Sequence, residues 1–306
     1  MKALIDGDIL RYRIGFAAQT TYTDIYMGAD IHKSFDNKTD LNEYLKTLPV
    51  DAEYELVERI VADPVENCLH SVKLQLNSII EGAKADEYKI LLTGHGNFRE
   101  GLVDYYKANR DRGKRPIHYD AITRYLIEGW NAKVVHRREA DDALSILQYQ
   151  WYEWAEGVAA QDETHMGETI ICTIDKDLDM VPGWHYNFVD DVTYWVDEED
   201  GLRNFYFQLL EGDSSDNIPG LSKITGTRRK KGEWNVHRSE LLAREDEVSM
   251  WKYVKDCYLI EFCKMDPNED TILTEDIEKA VVSKLRETGK LLWMQRTLDD
   301  DWEPPK

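Results

Sequence analysis

Apolar residues along this 306-residue chain recur in two rhythms. Short unbroken runs, KALI (Lys2 to Ile5), YKILL (Tyr88 to Leu92), AKVV (Ala132 to Val135) and TIICTI (Thr169 to Ile174), have the length and flanks of buried strands. Between them apolar residues return at helical spacing. Such stretches run from Ile9 to Phe16; from Pro64 through Val65, Leu69, Val72, Leu76 and Ile79 to about Glu81; from Pro116 to Leu126; and along Ala140, Ala143, Leu144 and Leu147. Residues 20–62 mix alternating and polar stretches and read as an insertion with hairpin or short-helix content. Strands alternating with helices in this way predict an α/β fold, a mostly parallel sheet with helices on both faces. A helical C-terminal region is expected from residue 211 to 306, after an α/β domain over 1–210.

Composition narrows the class. No run of about 18 apolar residues is present and MKALIDGDIL enters a strand without a leader, so a cytosolic chain with no membrane partner is expected. Cys68, Cys172, Cys257 and Cys263 form no CxxC pair and read as reduced packing thiols. A net charge of −21 argues against nucleic acid as a partner, but the distribution matters more than the sum. Arg99, Lys107, Arg110, Arg112, Lys114, Arg115, Arg124, Lys133, Arg137 and Arg138 crowd one stretch, and KITGTRRKKG (Lys223 to Gly232) holds no acid. Two such segments concentrate positive potential on an acidic chain.

In parallel α/β sheets, ligands bind beyond the carboxyl ends of the strands. Asp6 ends the first strand, with Asp8 close behind. Glu139, Asp141 and Asp142 follow the third, Asp175, Asp177 and Asp179 follow the fourth, and EGDSSDNIPG supplies Asp213 and Asp216. Acids in a first helical turn gain from the helix dipole, which accounts for any one of them alone. Together they are costly, since unit charges ~4 Å apart repel by about 4 kcal/mol at an effective dielectric near 20. An all-oxygen set without His or Cys at ligand spacing suits Mg²⁺ or Mn²⁺, and the number of acids suits two ions.

LIDGD, NFREGLVDYYKANRDRGKRP, READD, ICTIDKDLDMVPG and EGDSSDNIPG, in this order, resemble the 5'-nuclease superfamily, PIN-like α/β proteins that include flap endonucleases and phage 5'–3' exonucleases. The resemblance covers residues 1–222 and is greatest to the exonucleases of T-odd phages. It implies that Asp6, Glu139 and Asp141 hold a first metal, that Asp142 bridges or supports both sites by water, and that Asp175, Asp177 and Asp216 hold a second with Asp213 nearby. Lys107 and Arg110 would reach the scissile phosphate from an arch near 99–116, and Arg99 would position backbone phosphates. Lys114, Arg115, Lys223, Arg228, Arg229, Lys230 and Lys231 complete the expected DNA contacts. The implied activity is metal-dependent hydrolysis of phosphodiesters near 5' ends of duplex or flapped DNA, extending to RNA–DNA hybrids, in replication, primer removal or recombination.

Two features depart from that pattern. Gly94 stands where relatives carry an aspartate after the second strand. The stretch GLSKITGTRRKKG disturbs a hairpin that binds K⁺ in relatives, with K⁺ expected at 220–227. His136 and His185 read as surface or core histidines, Trp130, Trp151, Trp154 and Trp184 as packing residues, and Tyr105 and Tyr106 as able to stack on an unpaired base. Two rival classes stay open. LIDGDIL fits the opening of haloacid-dehalogenase-like phosphatases, and Gly94 suits a DNA-binding protein weakened in catalysis.

Overall fold

The structure, a computed structural model, describes residues 1–110, 114–155, 168–225, 231–265 and 275–306. The chain divides into two units: residues 1–7, 78–113 and 132–306 form the first, and residues 8–77 and 114–131 the second. The boundary expected near residue 210 therefore does not separate them. Residues 211–306 share a unit with the sheet because their apolar faces are buried in its core.

In chain order the elements are β1 (Lys2–Asp6), α1 (Gly7–Ala17), β2 (Gln19–Met27), β3 (Asp30–Phe35), α2 (Lys38–Leu45), β4 (Glu55–Ala62), α3 (Val65–Gly82), β5 (Glu87–Thr93), α4 (Tyr119–Trp130), β6 (Lys133–Val135) and α5 (Ala140–Ala155). Then come β7 (Thr169–Cys172), β8 (Gly183–Asn187), β9 (Val192–Val196), α6 (Glu198–Glu211), the short α7 (Leu221–Thr225), α8 (Lys231–Leu242), α9 (Glu247–Met265) and α10 (Glu275–Leu292).

The first unit is built on a six-stranded sheet in the order β6-β5-β1-β7-β8-β9. All neighbours are parallel except β8 and β9, so the fold is α/β with a mostly parallel central sheet, as the alternation predicts. Every residue of β7 is buried, which explains why its run is unbroken rather than alternating. The sequence reading missed β8 and β9. They form an antiparallel hairpin at one edge, where Trp184 meets Trp195 edge-on at 5.2 Å and Asn187 Oδ1 accepts from the backbone of Val189 and Asp190 in the turn. Helix α5 packs across β1, β5, β6, β7 and β8, while α6 is enclosed by α8, α9 and α10. One apolar cluster runs from Leu4 and Leu91 in the sheet through Phe205, Leu209 and Leu210 of α6 to Tyr258, Leu285 and Trp302. Trp302 seats on Gly289, where a Cβ would lie 2.2 Å from the indole.

The second unit holds the insertion, a three-stranded antiparallel sheet in the order β3-β2-β4 with α2. Buried Asp24 is gripped by Arg59 at 2.7 and 3.1 Å. Pro116 does not open α4 directly. It lies in the turn before it, where its carbonyl accepts from Tyr119 N at 3.0 Å.

Candidate active site

The first unit gathers its acids at the carboxyl edge of the sheet. β1 delivers Asp6 and passes directly into α1 at a position that needs glycine, since a Cβ on Gly7 would sit 2.7 Å from the Leu91 carbonyl. Asp6 is 3% exposed and accepts from the Thr173 hydroxyl at 3.2 Å. That hydroxyl also accepts from Asp175 N at 3.1 Å, joining the ends of two adjacent strands. Asp175 caps a 3₁₀ turn (Lys176–Met180), accepting from Asp177 N at 3.0 Å. Asp177 takes its own bond from Gln208 Nε2 of α6 at 2.5 Å. Burial, reinforced by the charges of Asp175, Asp213 and Asp216, pushes the Asp177 carboxyl up to about 7. Lys176 acts the other way and is outweighed.

A second group forms where the 105–110 segment meets the loop after α6. Lys107 pairs with Glu139 and lies 3.2 Å from Asp216, and Arg110 pairs with the other oxygen of Asp216. The buried Tyr106 hydroxyl stands 3.0 Å from both Glu139 and Asp216. A phenol has one proton to donate, so Lys107 must serve the acceptor that Tyr106 leaves. Burial, with Glu139 and Asp216 adding, drives the Tyr106 hydroxyl far upward and keeps it neutral. Burial alone would raise Glu139, but Lys107 and then Arg99 outweigh it, so the carboxyl lies below its usual range. The backbone reinforces the join: Lys107 N donates to Asp216 O at 2.8 Å, with Lys107 itself left-handed at φ 54°.

Asp141 and Asp142 occupy the first turn of α5. Asp142 is wholly buried and accepts two bonds from Arg99, at 2.6 and 2.7 Å, besides the backbone N–H groups of Glu139 and Gln295. Arg99 is 1% exposed and donates further to the carbonyls of Leu291 and Trp293 at 2.8 and 2.6 Å. Burial opposes its charge, but Asp142 outweighs burial and the guanidinium is held above its ordinary range.

This placement corrects three expectations. Arg99 does not face solvent where a phosphate backbone would lie, because Asp142 and the end of α10 enclose it. Asp142 does not reach toward the other acids, because its oxygens are occupied by Arg99 and two backbone amides. Tyr106 is not a stacking platform, since its ring is buried and its hydroxyl serves the carboxylates.

Glu139, Asp216, Lys107 and Arg110 are brought into contact, and Asp175, Asp177, Asp213 and Asp216 interact through their charges. Among the described residues no three His, Cys, Asp or Glu side chains converge as a ready metal cage. The cations on Glu139 and Asp216 and the capping duty of Asp175 account for part of this. Asp213 accepts from Ser215 N at 2.7 Å within its own loop, and Lys223 bonds Asn217 at 2.7 Å. Lys114 and Arg115 belong to the second unit, where Arg115 lies over the Tyr119 ring at 4.7 Å. Arg112, Arg228, Arg229, Lys230 and the side chain of Lys231 lie outside the described residues, as do residues 226 and 227 of the stretch expected to hold K⁺.

At Gly94 an added Cβ would fall 2.6 Å from His136 Nδ1 and 2.7 Å from Val134. His136 Nδ1 accepts from His95 N at 3.2 Å, so this imidazole fills the space beside Gly94. Thr173 and Gln208 hold Asp6 and Asp177 in place, yet no periodicity or spacing marks them. Their roles arise from side-chain bonds between remote segments.

No described helix is long and apolar enough to cross a membrane. No family model matches the chain, and no curated protein matches it. Solved structures of similar architecture include a bacteriophage T5 protein co-crystallised with metal ions (13% identity, TM-score 0.41, covering 92% of this chain and 98% of that one). Two others are T5 5'-exonuclease with bound zinc (13%, 0.40, 94% and 100%) and the T5 flap endonuclease in a pseudo-enzyme–product complex with DNA and metal ions (13%, 0.39, 93% and 99%). Likeness of this degree carries neither activity nor residue roles across.

Proposed function

We propose that this chain is a divalent-metal-dependent 5' nuclease, acting as a 5'–3' exonuclease and structure-specific flap endonuclease on duplex DNA. The observation that carries this reading is the meeting of Lys107 and Arg110 with Glu139 and Asp216. Cations suited to phosphate and acids suited to metal, drawn from three remote segments, occupy one spot beside the strand-end carboxylates.

The residues present fit hard divalent cations. The donors are all oxygen, and burial, reinforced by the like charges of Asp175, Asp213 and Asp216, raises Asp177 toward neutrality, a bias that a bound cation would offset. Asp6, Glu139 and Asp141 would hold one ion, and Asp175, Asp177, Asp213 and Asp216 a second. Bound there, such ions supply Lewis acidity toward phosphate oxygens and a more acidic water. Lys107 and Arg110, released from Glu139 and Asp216, bind the non-bridging oxygens of the scissile phosphate and fix it for in-line attack. The oxygen of water bonds to phosphorus, the bond from phosphorus to the 3' oxygen breaks, and the proton balance closes with a 3'-hydroxyl and a 5'-phosphate. Tyr106, neutral throughout, keeps Glu139 and Asp216 side by side. The substrate class extends to RNA–DNA hybrids, and the processes served are replication, primer removal or recombination, of the phage type.

A second reading, a DNA-binding protein weakened in cleavage, draws on His136, which fills the space where relatives of the resembled superfamily present an acid beside position 94. The phosphatase reading is less well supported, since Asp8, which it would use as an acid, is paired with Arg11 one turn along α1.

The deciding experiment is a gel assay on 5'-labelled duplex and flap DNA with Mg²⁺ or Mn²⁺ against EDTA, comparing the wild type with Asp175→Ala and Asp141→Ala. Short 5' products that need metal and both aspartates support the nuclease. Tight flap binding in Ca²⁺ with no cleavage in Mg²⁺ or Mn²⁺ overturns it in favour of the binding protein.

A further inference from the structure

Asn217 belongs to none of the roles above, yet both ends of its amide are engaged. Nδ2 donates to the Tyr105 carbonyl at 2.8 Å, and Oδ1 accepts from Lys223 Nζ at 2.7 Å. A carbonyl only accepts and an ammonium only donates, so this orientation of the amide is forced by its partners. Its neighbours stitch the same two segments. Lys107 N donates to Asp216 O at 2.8 Å, Asn109 Nδ2 to Ser214 O at 3.0 Å, and Arg110 Nε to Ser215 O at 3.3 Å. Asn217 itself adopts φ 59°, a left-handed conformation that asparagine tolerates better than most residues.

We propose that Asn217 is a positioning residue that sets Lys107 and Arg110 for phosphate, while tying Lys223 to the same loop. It grips the chain two residues before Lys107, and the Lys107 amide bonds the residue immediately before Asn217. The reach of both cations is thus fixed from the loop that also carries Asp213 and Asp216. Aspartate cannot substitute, because it has no donor for Tyr105 and sets a carboxylate against a carbonyl. Glycine keeps the left-handed backbone without strain and removes only the side-chain bonds. The role in cleavage rests on the nuclease reading, whereas the coupling between the two segments does not.

The test therefore has two arms. In the metal-free protein, hydrogen exchange of residues 104–110 is followed in the wild type and Asn217→Gly, and faster exchange in the variant is expected. In single-turnover cleavage of a 5' flap, Asn217→Gly and Asn217→Asp are expected to lose about 10- to 100-fold in rate, the scale of a misplaced catalytic group, with flap affinity in Ca²⁺ changed far less. In a Lys107→Ala/Arg110→Ala background, Asn217→Gly should cost little more, because it acts through those two cations. Equal losses in both backgrounds, or loss of affinity in place of rate, overturn the positioning role. A wild type that cleaves no DNA overturns the nuclease reading instead, and the exchange arm then decides the coupling: unchanged exchange in Asn217→Gly overturns it.

Discussion

Replacing Arg99 with methionine separates a structural role from a DNA-binding one. Methionine matches much of the buried stem and removes five donors. Asp142, wholly buried, would lose both guanidinium bonds and keep only the amides of Glu139 and Gln295, and the carbonyls of Leu291 and Trp293 would lose a donor each. Removing one partner of a buried ion pair costs about 3–5 kcal/mol, since the remaining charge is left uncompensated. The orphaned carbonyls place this site toward the upper end of that range. In urea unfolding, Arg99→Met should move the midpoint sharply down with little change in slope. Arg99→Met/Asp142→Asn should recover part of the loss, because the second change removes the stranded charge. A cost below about 1 kcal/mol, the scale of an exposed pair, would refute the burial argument. It would return Arg99 to the phosphate-contacting role expected from the sequence, and the salt dependence of DNA binding should then fall by about one phosphate contact in the variant.

Two further predictions concern positions outside the ion pairs. Gly94→Asp places an acid after β5 but drives its Cβ into His136 and Val134, so the single variant should lose stability on the scale of overpacking, about 1–3 kcal/mol, without gaining cleavage. Gly94→Asp/His136→Ala should recover stability by removing one of the two clashes, and thermal melts with the cleavage assay read both outcomes. His185 is wholly buried on the Val181 carbonyl, and burial, opposed in part by that bond, lowers its pKa to about 4. Between pH 6.5 and 4 the unfolded chain takes the proton and the folded one resists it. This contribution is therefore complete above pH 6.5 and lost as pH falls toward 4, by about 3 kcal/mol in all. His185→Gln should flatten the stability profile over that window; an unchanged slope between pH 4 and 6.5 would contradict the assignment.

The sequence by itself determined the strand and helix alternation and the delivery of acids to the ends of β1, β6 and β7, because burial on a sheet leaves a local imprint: unbroken apolar runs, then a polar turn. It also placed Lys107 and Arg110 in one basic segment and Asp213 and Asp216 in one acidic loop. The hairpin of β8 and β9 escaped, since its polar and aromatic mixture suits a sheet edge and a loop about equally well. Only the tertiary structure decided which charge meets which. Arg99 looks like any other arginine in a basic stretch until Asp142, 43 positions away, and the carbonyls of Leu291 and Trp293, 192 and 194 away, enclose it. Asp213, Asp216 and Asp177 carry the same side chain, yet one caps its own loop, one is shared between Lys107 and Arg110, and one is raised toward neutrality by burial and its neighbours. A carboxylate's character depends on its solvation and its nearest counter-charge. Both are set largely by segments tens to nearly two hundred residues apart, which leave no mark on local periodicity.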